Sequence, residues 1–187
     1  MDTAPQGPTE QEIEQAASIL AKITPGYLPK PLFLQVTRLV VTTTVEVVPF
    51  RKGAGGDIEV LLTRRDPDDP YWPNMLHTPG AVVRASDAEG TYQDALERVL
   101  EGELHGIHTI GAPVFVEHLL HRVARGMESA IVHYVEVADN PTEGTFYPVE
   151  RLPEDLVGTQ AGFIRKAAAA FAQTGQEGDK TLEHARQ

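Results

Sequence analysis

The sequence predicts an α/β protein built on a mixed sheet flanked by helices. Two stretches rich in β-branched residues, 39–63 and 112–137, are each broken once by a glycine-containing turn, as hairpins are. An amphipathic helical pattern, Thr91 to Leu104, lies between them, and an alanine-rich helix, Gln160 to Phe171, follows. With 187 residues, 41% of them hydrophobic, the chain can bury one sizeable core, so a single domain with short extensions is expected.

Taken in order, Met1 to Thr9 carries Pro, Gly and polar residues and reads as disordered. Glu10 to Ile23 reads as a helix with Ile13, Ala16, Ala17, Ile19 and Leu20 on its inner side, after which Thr24 to Pro31 leads into the first strand. This helix is an addition to the core pattern, and two roles stay open for it: packing across the sheet, or a homodimer contact. Leu39 to Phe50 reads as a long strand or two, and Ile58 to Thr63 as its hairpin partner, with Val45, Val47, Val48, Val60, Leu61 and Leu62 in the core. A second pair, Ala112 to Val123 and Ser129 to Val137, turns at Arg125-Gly126. Phe146 to Glu154 reads as a strand and turn before the last helix, whose one breaker, Gly162, falls in its first turn. Thr174 to Gln187 reads as a charged tail. The expected division is therefore 1–33 as an N-terminal extension with one helix, 34–173 as the domain, and 174–187 as a flexible C-terminal tail.

A net charge of −11 argues against a nucleic acid polymer as partner, because such affinity rests on Lys and Arg neutralising phosphates. A local basic pocket can still steer a small phosphorylated ligand, and Arg64, Arg65, Arg84, His118, His121, Arg122 and Arg125 are the candidates. The absence of cysteine removes disulfides, thiol catalysis and thiolate metal sites. No run approaches membrane-spanning length and no signal pattern opens the chain, so a cytoplasmic protein without a membrane partner is expected. Among the histidines, His118 and His121 are three apart in a strand pattern that sends them to opposite faces. His77, just before the Thr78-Pro79-Gly80 turn, is expected to fix that loop. For Trp72, core packing is the expected role.

The segment WPNMLHTPGAVVRASDAEGTYQDALERVLEGELHGI, Trp72 to Ile107, resembles a Nudix box, the loop, helix and loop that hold divalent metal against a diphosphate. Pro79-Gly80-Ala81 stands at the box turn, and the five residues Val82 to Ser86 lead to Asp87 at the first glutamate position. Three extra residues then precede a helix start at Thr91, with the threonine hydroxyl as N-cap. In that register Arg98 takes the arginine position and Glu103 the last glutamate, while Val99 and Gly102 replace the other acids. One more inserted residue aligns Gly106-Ile107 with the closing pair. The resemblance implies a Nudix-like α/β/α sandwich with a mixed sheet.

On a helical wheel Ala95, Leu96, Val99, Leu100 and Leu104 form one apolar stripe, with Asp94, Glu97, Arg98 and Glu101 opposite. Glu103 falls inside the stripe, where a carboxylate is costly unless paired, protonated or bound to a cation. Glu97 and Glu101 read as a solvated face. Gly102 weakens the helix and predicts an early or distorted end. Glu89 and Glu117 are further acids within possible reach of a metal.

The resemblance implies a hydrolase of a nucleoside diphosphate linked to another moiety, using Mg²⁺ or Mn²⁺. Glu103 and Arg98 are then the catalytic candidates, Glu103 and Asp87 the metal ligands, and Gly80, Ala81, His77 and Arg84 the residues around the small, nucleotide-derived ligand. Loss of the acids at 99 and 102 leaves a second reading open, a Nudix-fold ligand-binding or interaction module without catalysis. Isopentenyl diphosphate isomerases share the look of the Trp-Pro-Asn segment and Pro-Gly turn, but their chemistry uses a cysteine that this chain lacks.

Overall fold

The structure, a computed structural model, describes residues 7–138 and 143–184. Among these, the elements are α1 (Glu10–Leu20), α2 (Lys30–Leu39), β1 (Val41–Lys52), β2 (Ile58–Arg64), β3 (Leu76–His77), β4 (Gly80–Val82), α3 (Gln93–Arg98), a π-helical turn (Val99–Glu103), β5 (Thr109–Val123), β6 (Gly126–Val137), β7 (Thr145–Pro148), a 3₁₀ turn (Val149–Arg151) and α4 (Gln160–His184).

The described strands form one seven-stranded mixed sheet along the path β3-β2-β1-β6-β5. Its centre is the parallel pair β1 and β6, in register from Val41 opposite Met127 to Phe50 opposite Glu136. On its other edge β1 pairs with β2 through Phe50–Lys52 and with β4 through Thr44–Glu46. Side chains alternate along a strand, so β1 feeds two cores. Val48 and Phe50 join Val60, Leu62, Val132 and Tyr134 beneath Phe163, Ile164, Ala167 and Phe171 of α4. Val45 and Val47 face the other way, with Leu61, Val135 and Val137, beneath Ala95, Val99 and Leu104. Helices on both faces of the sheet make the α/β/α sandwich that the sequence predicts.

Three local expectations need correction. Lys30–Leu39, assigned to the approach and start of the first strand, is helical: Pro31 sits in its first turn, where a missing N–H costs nothing. The N-terminal extension therefore carries α1 and the start of a second helix. α1 ends at Leu20 rather than Ile23 and buries none of its residues, so the inner side expected for Ile13, Ala16, Ala17, Ile19 and Leu20 is exposed among the described residues. Finally, α4 runs past Phe171, and residues 174–184 of the expected tail continue it, with the Tyr134 and Thr174 hydroxyls 2.8 Å apart. Residues 1–6 and 185–187 lie outside the described residues.

Candidate functional site

The loop after β4 begins the site. Arg84 donates its backbone N–H to Asp87 at 2.8 Å, and Arg98 clamps both Asp87 oxygens while a further guanidinium N–H reaches the carbonyl of Val82. These bonds hold the Asp87 carboxylate below its usual range, with the Arg98 hydrogen bonds as the largest favourable cause. Asp87 and Arg98 thus meet across the loop that contains residues 88–90. Thr91 is not the N-cap; Tyr92 is, and the Thr91 hydroxyl instead accepts from the N–H of Gln93.

The second insertion is absorbed differently. From Val99 the helix widens into a π turn, closed by the N–H of Leu104 bonding to the carbonyl of Val99 at 3.1 Å. A π turn accommodates one extra residue within a helix, and Gly102 within it tolerates the change. Val99 and Leu104 both stay buried in the core, while Glu103 is turned to the rim of a pocket. The apolar stripe therefore ends with Leu104, and Glu103 is not in it. Glu97 and Glu101 are exposed, as expected.

That pocket, about 430 Å³, lies on the α4 side of the sheet. Period-two alternation sets its floor: Thr44 and Glu46 on β1 share a face with Val48 and Phe50, and Glu128 pairs with Thr42 on the same face. Glu46 is buried, and the Thr78 hydroxyl donates to it at 3.2 Å. Its oxygens press so closely on the box turn that a Cβ added to Gly80 would lie 2.7 Å from both, so glycine is required there for space. Burial first, then the charges of Glu128 and Glu103, push the Glu46 carboxyl up to about 8. Glu103 is crowded by protein around its carboxylate, and burial pushes it up to about 7 although the Gly80 N–H and Arg65 act in the opposite direction. The residue is nonetheless solvent-accessible, because the pocket onto which it opens admits water.

The opposite wall is basic and aromatic. Arg65 pairs with Asp69 at 2.6 Å and lies over the Trp72 ring. Arg125, from the β5–β6 turn, pairs with Glu128 and also faces Trp72 and Phe33. His121 meets Glu128 at 3.2 Å. Trp72 is half-buried between two guanidinium groups on the pocket wall, which corrects the core-packing expectation. His77 sits 3.2 Å from the Thr63 hydroxyl, and burial first, then Arg65, lowers it to about 4, so it is a neutral ring in the pocket wall.

Of the expected site residues, the structure brings Glu103, Gly80, Ala81 and His77 together around the pocket. Asp87 and Arg98 pair with each other outside its lining, and Arg84 stacks its guanidinium over Tyr27. Of the basic candidates, Arg64, Arg65, His121 and Arg125 line it. His118 and His121 do separate, His118 meeting Ser129 and His121 meeting Glu128. Glu117 is taken by Lys166 at 2.6 Å, and Glu89 is exposed. Sequence reasoning missed Glu46 and Glu128. Each is a lone carboxylate in a valine- and threonine-rich or apolar strand, in register with core residues, and that register is the signal that could have found them.

Among the described residues no group of three or more His, Asp or Glu side chains is arranged to hold a metal ion. Arg65 and Arg125 are paired with Asp69 and Glu128, while among the described residues Glu46 and Glu103 make no salt bridge and feel Arg125 and Arg65 only at longer range. Mg²⁺ is commonly held by one or two carboxylates together with substrate phosphates rather than by an all-protein cage. The donor set fits that mode.

This is an α/β/α sandwich with an acid-and-arginine pocket beside a Pro-Gly turn. Comparison with solved structures shows it to be the Nudix fold. A mutT/nudix family protein from Listeria innocua matches at 18% identity and a TM-score of 0.54, over 72% of this chain and 96% of that one. The NUDIX domain of Shewanella oneidensis NrtR, solved with ADP ribose, matches at 18% identity and a TM-score of 0.55, over 83% and 97%. The Caenorhabditis elegans Ap4A hydrolase matches at 18% identity and a TM-score of 0.51, over 71% and 99%. No family model matches the sequence, and no curated protein matches it significantly. Among the described residues no helix is long and apolar enough to cross a membrane.

Proposed function

We propose that the protein is a Nudix-type hydrolase of a nucleoside diphosphate linked to another moiety, acting with Mg²⁺ or Mn²⁺. The observation that carries this reading is the pair of carboxyl groups without a salt bridge, Glu46 and Glu103, both next to Gly80 in the pocket. Glu103 and Glu46 would hold the cation together with diphosphate oxygens, Glu46 standing where Asp87, committed to Arg98, does not reach. When bound, such a cation neutralises phosphoryl oxygens and lowers the pKa of water.

The chain's own groups account for the rest. Gly80, without a side chain, lets the Glu46 carboxyl group lie directly against the turn. Arg64 and Arg65 close β2 at the pocket, and each guanidinium keeps N–H donors beyond those used by its carboxylate partner. Trp72, with Arg65 and Arg125 over its ring, gives the pocket wall an aromatic and cationic surface that suits a planar anionic group. Glu46 and Glu103 hold protons at low pH and give them up between about 7 and 8, when they become able to accept a cation. The ADP ribose bound by one structural neighbour, and the Ap4A named as substrate of another, have the chemistry this pocket suits.

A second reading, a binding module without catalysis, is favoured by one observation: no three-ligand metal group exists among the described residues. Calorimetry with ADP-ribose and diadenosine tetraphosphate in Mg²⁺, Mn²⁺ or chelator, with product release followed in parallel, separates the two. Product that requires metal and disappears in Glu103→Gln is the expected result. Binding that persists in chelator without product establishes the module instead. No binding and no turnover with either ligand or with nucleotide sugars would remove both.

A further inference from the structure

We propose that Gln160 is a positioning residue whose side-chain oxygen fixes the Thr78–Gly80 turn and thereby the places of Glu46 and Glu103 in the pocket, a role that rests on the function proposed above for the use of the two acids and on geometry for how they are held. β3 ends at His77 and β4 begins at Gly80, so only Thr78 and Pro79 join the two strands. Proline has no N–H, which leaves that of Thr78 as the one backbone donor of the connection. It is committed to Oε1 of Gln160, 2.9 Å away and 82 positions later in the chain. Thr78 is fully buried and Gln160 only 8% exposed, so the bond is shielded from water.

The same turn touches both acids. The Thr78 hydroxyl donates to Glu46 at 3.2 Å, and the Gly80 N–H bonds to Glu103. On the sheet side the turn is anchored by the Val47 N–H, which donates to the Pro79 carbonyl at 2.9 Å. Gln160 supplies the second anchor, from α4. Without that acceptor the Thr78 N–H is a buried orphan, and a rotation of the turn that relieves it carries the Thr78 hydroxyl and the Gly80 N–H along.

Gln160 is itself firmly placed. The chain before α4 is stitched to β3: the Leu76 N–H donates to Asp155, the Val157 N–H to Leu76 and the Gln160 N–H to Val157, each at 2.9 Å. Leu76 and Leu156 form a parallel bridge, and Phe163 and Ile164 bury the first turn of α4 in the core. The carboxamide is therefore presented at the pocket from a rigid support. Two substitutions separate its acceptor from its bulk. Glutamate keeps an oxygen for the Thr78 N–H, and methionine fills similar space with only a weakly accepting sulfur.

Amide hydrogen exchange by NMR on the full chain reads the turn without any ligand. In Gln160→Met the Thr78 and Gly80 amides should both exchange about tenfold faster relative to the core amides of Val60 and Val132, and Gln160→Glu should restore both. Titration with Mn²⁺, followed by the paramagnetic resonance of the free ion, should show Gln160→Met binding about tenfold more weakly than the unmodified chain. Faster exchange at Thr78 with Gly80 unmoved overturns the proposal, because the bond is then only local. So does an equal rise at the turn and the core amides, or no restoration in Gln160→Glu, since Gln160 is then a packing residue. Unchanged Mn²⁺ affinity in Gln160→Met overturns it as well. An unmodified chain that binds no Mn²⁺ counts against the proposed function instead, and the exchange rates still decide how the turn is held.

Discussion

Arg98 holds both oxygens of Asp87, Nη1 at 2.6 Å from Oδ1 and Nη2 at 2.8 Å from Oδ2, and so pins the box helix to the loop that follows β4. The Asp87 side chain is only 7% exposed, and among the described residues the buried Nε of Arg98 has no hydrogen-bond partner. Asp87→Asn should cost about 1–3 kcal/mol at neutral pH, the range for a charge-assisted hydrogen bond lost in a partly buried setting. The Asp87 pKa is depressed, so its stabilisation is present above the unfolded value near ~3.9 and fades as pH falls through the lower folded one. Urea melts of both proteins should therefore converge in acid. A constant difference down to the lowest accessible pH would show that the charge is not what stabilises the loop.

Glu46 produces the opposite pH dependence. Its folded value of about 8 lies above the unfolded one, so the native state keeps a proton that the unfolded chain releases from about pH 4.3 upward. Stability falls as pH rises through that window and levels off above about 8. Glu46→Gln keeps the Thr78 contact without ionising, so its stability should be flatter between pH 5 and 8, and chemical denaturation across that range measures the slope. For the wild-type protein, metal-dependent turnover should climb over the interval in which Glu103, at about 7, and then Glu46 ionise.

Val99 and Gly102 stand where the resemblance to a Nudix box would put acids, and substituting glutamate at the two positions should give opposite outcomes. Gly102 lines the pocket, and a side chain built there meets nothing within 4 Å. Gly102→Glu adds a third carboxylate near Glu103, and Mn²⁺ affinity should tighten about tenfold, or about 1.4 kcal/mol, by calorimetry. Val99 is fully buried against Ala95 and Leu104, so Val99→Glu buries an unpaired charge. It should cost more than about 4 kcal/mol without improving metal affinity. Equal gains from both substitutions would contradict the π-turn register.

Arg125 joins three parts of the molecule: Glu128 on β6, Phe33 on α2 and Trp72 on the pocket wall. Glu128 is only 5% exposed, and the side chain that still meets it without Arg125 is the imidazole of His121. Arg125→Met should cost about 3–5 kcal/mol, the range for breaking a buried ion pair from one side. The double variant Arg125→Met with Glu128→Gln should recover part of that loss, since the stranded charge is gone. No recovery would mean that the stacking contacts dominate.

Period and local chemistry made much of this fold legible in the sequence. β1, β2, β5, β6 and the start of α4 follow from alternation and helical spacing, because a side chain's inward or outward direction is set within a few residues of itself. The resemblance to a Nudix box was legible in the same way, through the spacing of Gly80, Asp87, Arg98 and Glu103. α2 was not, because Pro29, Pro31 and the β-branched residues after them resemble an approach to a strand until tertiary packing buries Thr37.

The site itself depended on contacts that no local window contains. Glu103 sits in an apolar stripe on an ideal wheel, and only the π turn, forced where Leu104 takes the core position, delivers it to the pocket. Glu46, Thr78, Gly80 and Glu128 come from three regions of chain whose meeting is fixed by the parallel pairing of β1 with β6 and the antiparallel pairing of β1 with β4. The sequence alone therefore determined which faces are apolar and where the segment resembling a Nudix box runs, since both are short-range properties. Which carboxylates share a cavity was decided by strand register and one widened helical turn, because electrostatic coupling acts through space and not along the chain.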